Sequence, residues 1–255
     1  MQPDPLTCST GDGPAGGQDS GGVRQIPSTP MSAEPPRPRP PRGSRAPRVR
    51  SSPGPAPAAD EIQDAYLRRS IAEISALQDE IAGCDRCRPE GALPVMASGS
   101  PQAEIVLLKW AATPSEQLEG VAFFGRAGTA ILKSVERLGI DPLTLYGTLC
   151  VKCTHQPPER AAELCPPWLA RELAIVMPKI VVPMGPRALA ALDRLEFPLS
   201  EPLREELGVI QRWTPTIDVL YVPDIDESLD EQRAKREFWH AFRVLGDWHQ
   251  NQPPY

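Results

Sequence analysis

The stretch IVLLKWAATPSEQLEGVAFFGRAG, Ile105 to Gly128, decides the architecture. Ile105–Leu108 is a short aliphatic run that reads as a buried strand, and it passes into a polar loop ending on Phe-Phe-Gly-Arg-Ala-Gly. Open α/β sheets deliver their working loops in this way, at the carboxyl ends of the strands. Where a reacting group is expected, the chain carries Lys109-Trp110-Ala111-Ala112-Thr113.

Outward from this segment, strand and helix patterns alternate. Upstream, Ile62, Leu67, Ile71, Ile74, Leu77 and Ile81 recur at helical spacing, with Asp60 as N-cap and Gly83 as the stop. Downstream, the pattern predicts a helix over Ala127–Leu138 ended by Gly139, a strand around Thr144–Cys150, and a helix from Pro166 or Pro167 to Val176. Lys179–Gly185 holds a buried strand, Arg187–Leu192 a helix and Thr216–Pro223 a further strand. Leu229–Trp248 reads as a closing helix with Phe238, Phe242 and Leu245 on one face. Such alternation predicts an α/β fold with a parallel sheet covered on both sides.

Composition divides the chain. Residues 1–59 hold 14 of the 32 prolines and 8 of the 19 glycines, so they read as a disordered tail, unable to bury enough surface to offset ordering. Its Pro35–Arg50 part is basic and suited to extended polyproline conformations. Residues 60–249 are expected to form one domain, with 250–255 a short tail. The tail carries seven Arg against four Asp/Glu, whereas the rest carries 20 Lys/Arg against 29 Asp/Glu. An acidic domain argues against a wholly basic nucleic-acid face. The tail reads as a solubilising arm, as a source of attraction for nucleic acid, or as the docking segment for a protein partner. With no apolar run of membrane length and no secretory pattern, no membrane is expected and the monomer is placed in the cytoplasm.

Four of the six cysteines group by spacing. Cys84-x2-Cys87 lets two thiolates converge on one metal from a turn. Cys150 with Cys153 completes a zinc-ribbon reading, and Cys153 with Cys165 is the other completion. An offset of three within a strand puts Cys150 and Cys153 on opposite faces, which favours Cys165 and leaves Cys150 as a small buried residue.

These pieces in order, CDRC, FFGRAG, VKC at a strand end, a cysteine before a helix and IVVPMGPRALAAL, resemble the iron–sulfur uracil-DNA glycosylases, the family 4 and 5 branch of the uracil-DNA glycosylase superfamily. The resemblance covers roughly 83–192, weakens toward Trp248 and is absent from the tail. It implies a three-layer α/β/α fold with a short, mostly parallel central sheet. It also implies a 4Fe-4S cluster on Cys84, Cys87, Cys153 and Cys165 and work as a hydrolase in DNA repair, while the cysteine spacing alone leaves zinc as the alternative metal.

Glycosylases of this kind extrude a base and hold it in a pocket. In the resemblance Phe123 aligns with the stacking phenylalanine, and Phe124 is the adjacent candidate. Gly125 and Gly128 permit close backbone approach, and Arg126 starts the next helix. The family's polar groups are missing: Trp110 stands at the acidic position, Leu149 at the asparagine and Val222 at the histidine of a His-Pro motif. Losing even one stabilising donor commonly costs ~10²–10³ in rate. Candidate replacements are Glu116, Glu119 and Asp224, with Asp226 close behind it in sequence, Lys109 as an amine nucleophile or phosphate contact and Trp110 as a plug in the old pocket. The expectation is a cluster-bearing, nucleic-acid-binding protein with standard uracil excision lost or strongly reduced. An active base-excision enzyme with unusual residues and a non-enzymatic interaction platform are the alternatives. A groove lined by Lys109, Arg126 and Lys133 favours nucleic-acid binding.

Overall fold

The computed structural model describes residues 59–86, 93–153 and 163–252, so the tail, Cys8, Cys87 and His155 lie outside the described residues. Six strands form one sheet in the order β1-β3-β2-β4-β6-β5. The strands are β1 (Ser98–Gly99), β2 (Ile105–Lys109), β3 (Leu145–Leu149), β4 (Ile180–Pro183), β5 (Ile210–Arg212) and β6 (Asp218–Leu220). Its centre is parallel, with Ile105 opposite both Leu145 and Ile180, and Ile180 opposite Asp218. The edge strands β1 and β5 run antiparallel to their neighbours. Both are too short to leave a periodic signal in the sequence.

Every residue of β2 is buried, as expected of a strand covered on both faces. Alternation divides its side chains. Val106 and Leu108 face α4 (Pro166–Val176) and α5 (Pro186–Asp193) through Leu169, Leu173, Ala188 and Leu192. Ile105 and Leu107 face α3 (Arg126–Leu138) and α7 (Gln232–Gln250) through Ile131, Val135, Phe238 and Phe242. The result is the three-layer α/β/α arrangement.

Several boundaries differ from the sequence expectation. The first helix, α1, spans Ala59–Ala82, so Asp60 lies within it. Only its second half is buried, at Ile74, Leu77 and Ile81, while Ile62, Tyr66 and Ile71 stay exposed. The loop holding Glu116 and Glu119 contains α2 (Pro114–Glu119), nucleated by Thr113 as N-cap and closed by Gly120. Pro142–Thr144 form a 3-10 turn before β3. The closing helix, α7, starts at Gln232 rather than Leu229, and a separate short helix, α6 (Ile225–Ser228), capped by Asp224, precedes it. Among the described residues no helix is long and apolar enough to cross a membrane.

The loops after β2, β3, β4 and β6 meet at one end of the sheet. Backbone bonds lace them there, from Cys150 N–H to Lys109 O, from Met184 N–H to Leu108 O and from Gly185 N–H to Val222 O. Gly128 lies against this end, because a Cβ there would stand 1.9 Å from the Phe123 carbonyl oxygen. Gly→Ala in a helix ordinarily stabilises by up to about 1 kcal/mol. Here the steric cost reverses the sign, and Gly128→Ala is expected to lower stability by about 1–3 kcal/mol in denaturant unfolding.

Candidate active site and cysteine cluster

Lys109 closes β2 and is 1% exposed. Its Nζ stands 3.0 and 2.9 Å from Glu116 Oε1 and Oε2 and 2.6 Å from Asp226 Oδ2. A buried ammonium needs such partners, since an unpaired charge out of water is strongly disfavoured. Glu116 is fully buried and fully engaged. Its Oε2 accepts from Thr113 N–H (2.7 Å) and Thr113 Oγ1 (2.9 Å), while its Oε1 accepts from Phe123 N–H (2.6 Å). The α2 capping box thus aims the carboxylate inward at the lysine.

Phe123 is pinned by that last bond in a left-handed conformation, φ 62°, which costs a bulky residue of order 1–3 kcal/mol. Its ring lies on Gly147, where a Cβ would stand 2.6 Å from Cδ2. Lys109 Nζ lies over the same ring, 5.4 Å from its centroid and within cation–π range. The aromatic platform therefore already carries a cation from its own chain. Phe124, the neighbouring candidate, points outward and is 46% exposed.

Glu119 is exposed at the end of α2. Asp224 caps α6, accepting from the N–H groups of Asp226 and Glu227, and is half-buried. Burial raises the pKa of Asp224, against the backbone N–H groups and the Lys109 charge, which lower it. Burial likewise raises Asp226, against Lys109. Asp224, Asp226, Glu116 and Lys109 thus form one charged group at the strand ends; Glu119 is outside it. The short spacing from Pro223 to Asp226 was visible in sequence, but that Asp226 turns toward Lys109 depends on α6.

Trp110 leaves the strand on the opposite side from Lys109, as adjacent strand residues do. It packs toward the cysteines and the α4 face rather than over Phe123, under the Arg187 guanidinium at 5.8 Å. The plug over the ring is therefore Lys109. Leu149 and Val222, where the resemblance expects polar groups, are buried among apolar neighbours.

Three of the four expected cluster cysteines are described, and all three are buried. Cys84 and Cys165 share an apolar cluster with Leu77, Ile81, Val151 and Trp168. A hydrogen bond from Cys153, followed by the Lys152 backbone and charge, lowers the Cys165 thiol to about 6 against the opposing effect of burial. Cys150 belongs to a different apolar cluster, beside Tyr146 and Leu169, and burial raises its thiol to about 12. Cys153 and Cys165 stand together as a candidate thiolate pair, with Cys165 in the same apolar cluster as Cys84, whereas Cys150 lies in the other cluster. Among the described residues no three metal-ligating side chains stand within reach of one ion, Cys87 being outside them. Beside the pair, Lys152 and Glu172 form a buried ion pair at 2.5 Å, with the Thr148 hydroxyl 2.8 Å from the same Glu172 oxygen. That pair was not anticipated from sequence.

Glu116→Gln leaves the Lys109 ammonium short of charge in a dry site. It is expected to cost about 3–5 kcal/mol, read as a lowered midpoint in urea unfolding.

Comparison with known proteins places this geometry. Residues 96–243 match the family profile described as the uracil DNA glycosylase superfamily. The Type-4 uracil-DNA glycosylase of Archaeoglobus fulgidus is 25% identical over 177 residues, 66% of this chain and 89% of that protein. That of Saccharolobus solfataricus is 26% identical over 183 residues, 64% of this chain and 84% of that protein. That of Sulfurisphaera tokodaii is 31% identical over 121 residues, spanning about half of each, 44% of this chain and 54% of that protein. The matched region takes in β2 to β6, Phe123 with its Lys109 cover, and both Cys153 and Cys165, and by it the chain belongs to the uracil DNA glycosylase superfamily.

Proposed function

We propose that this chain binds DNA and has lost, or retains only weakly, the excision of uracil. The observation that carries the reading is Lys109 Nζ over the Phe123 ring, locked by Glu116 and Asp226. An extruded base needs that ring free, and displacing the ammonium would strand the fully buried Glu116 carboxylate without its cation. Hydrolysis also needs a carboxylate able to take a proton from water. Glu116 accepts from Lys109, from both Thr113 donors and from Phe123 N–H, which leaves it no reach toward solvent. Trp110, Leu149 and Val222 supply no carboxylate or amide and no imidazole where the resemblance expects them. In this reading Phe124, Gly125 and Arg126 form the rim that meets the strand, with Phe123 and Gly128 behind it.

A second reading has a specific support: Asp224 and Asp226 are half-buried carboxylates at the strand ends with raised pKa, the condition of a general base working nearer neutral pH. The deciding experiment measures base release from single- and double-stranded uracil oligonucleotides alongside their retention by the same protein. The expected result is retention without release. Release that disappears in both Phe123→Ala and Asp226→Asn would transfer the assignment to a rewired glycosylase.

The reading includes a 4Fe-4S cluster on Cys84, Cys87, Cys153 and Cys165. When bound, such a group joins thiolates distant in sequence into one cross-link. Here it would tie the end of α1 to the loop after β3 and the start of α4. Protein prepared without oxygen is expected to contain iron and acid-labile sulfide. Cys165→Ala should abolish both while Cys150→Ala retains them; zinc without sulfide would identify the other metal.

A further inference from the structure

A second feature lies outside the pocket, between α3 and α7. A groove of about 870 Å³ runs there, and its cationic lining residues are Arg126, Lys133 and Arg137 from α3 with Lys235 and Arg236 from α7. Among the described residues no aspartate or glutamate lines it, although residues 60–255 carry 29 acids against 20 Lys and Arg. Chance would mix the signs in a chain of this composition. Arg126, Lys133 and Arg137 share one face of α3 because their spacings of seven and four follow the helical period, and the adjacent Lys235 and Arg236 border the groove from α7. Arg126 to Arg137 spans about 16 Å at the rise of an α-helix.

These charges are largely uncommitted. Among the described residues Lys133, Lys235 and Arg236 form no ion pair, and Arg126 has one, with Asp230 at 2.7 Å, both side chains mostly in solvent. Exposed pairs of that kind contribute little and exchange readily for another anion. Arg137 lies over the Trp239 ring at 5.9 Å, and Trp239 with Phe238 supplies the aromatic part of the lining. A row of cations beside an aromatic surface matches a single-stranded nucleic acid, which offers phosphates in series and bases that stack. An acidic peptide would use the charges but not the ring.

The groove also leads somewhere. A smaller hollow of about 260 Å³ shares Arg126 and Leu229 with it and is lined further by Phe124 and by Asp226, the partner of Lys109. We propose that the α3/α7 groove is a track for the phosphodiester backbone of single-stranded nucleic acid, which it leads to the Phe124 rim. The assignment rests on the nucleic-acid reading above and adds the surface that carries most of the affinity.

The test uses the full chain and a fluorescent oligothymidylate, with anisotropy measured across a range of salt concentrations. The groove variant K133Q/R137Q/K235Q/R236Q is compared with R68Q/R69Q/R204Q/R243Q, which removes the same charge from exposed positions outside the groove. All eight side chains are exposed, and thermal melting checks that both variants stay folded. The groove variant is expected to bind about tenfold or more weakly, its log K against log salt flattened by ~0.7 for each phosphate that the protein no longer neutralises. The control should keep the parent slope. Equal weakening of the two variants, or no change in either, overturns the track and leaves the DNA-binding reading standing. A parent that binds no oligonucleotide overturns both. A parent that binds polyglutamate in preference, with loss in the groove variant, removes nucleic acid from the groove and gives it to an acidic protein segment.

Discussion

The ammonium of Lys109 is the charge around which the strand-end region is arranged. It sits at the last position of a strand buried on both faces, where an unpaired cation would destabilise the fold by several kcal/mol. Glu116 and Asp226 satisfy it from two elements far apart in sequence, α2 and α6. Glu116 in turn holds Thr113, which starts α2, and the Phe123 N–H, which fixes the ring in its left-handed backbone conformation. One buried ion cluster therefore determines where a helix begins, how an aromatic ring lies and what covers it.

The layers behind the strand ends are held by apolar packing. Leu149 and Val222 contribute to the core as apolar filler. Replacing hydrogen-bonding groups with aliphatic ones in a dry site removes a desolvation cost and leaves the core intact. Lys109 fills the strand end with a paired charge. Apolar packing holds the layers together, while the strand end depends on the carboxylates that α2 and α6 bring to Lys109.

Charge is distributed by region rather than averaged. The strand ends concentrate carboxylates near one lysine, while the α3/α7 groove collects cations with no acid among the described residues of its lining. Of Lys109, Arg126 and Lys133, whose shared groove would favour nucleic-acid binding, the last two line the α3/α7 groove and Lys109 is buried. A strand-end residue can enter either the core or the rim, and only the neighbouring carboxylates decide which.

What the sequence determined by itself were the features that depend on local periodicity and apolar pattern. Alternating helical and aliphatic segments predict the layered α/β fold, Gly139 ends its helix, and Pro166 starts one. The likeness to iron–sulfur uracil-DNA glycosylases was also legible, in the order of CDRC, FFGRAG and VKC. The two-residue β1, the three-residue β5 and the six-residue α2 were not, since elements that short are held by neighbours rather than by their own pattern. Tertiary structure alone decided that Glu116 and Asp226 meet at Lys109, that Trp110 turns toward the cysteines, and that five cations from α3 and α7 line one groove. Each depends on side chains brought together from distant segments, and burial and charge act on distance in space, which residue order does not encode directly.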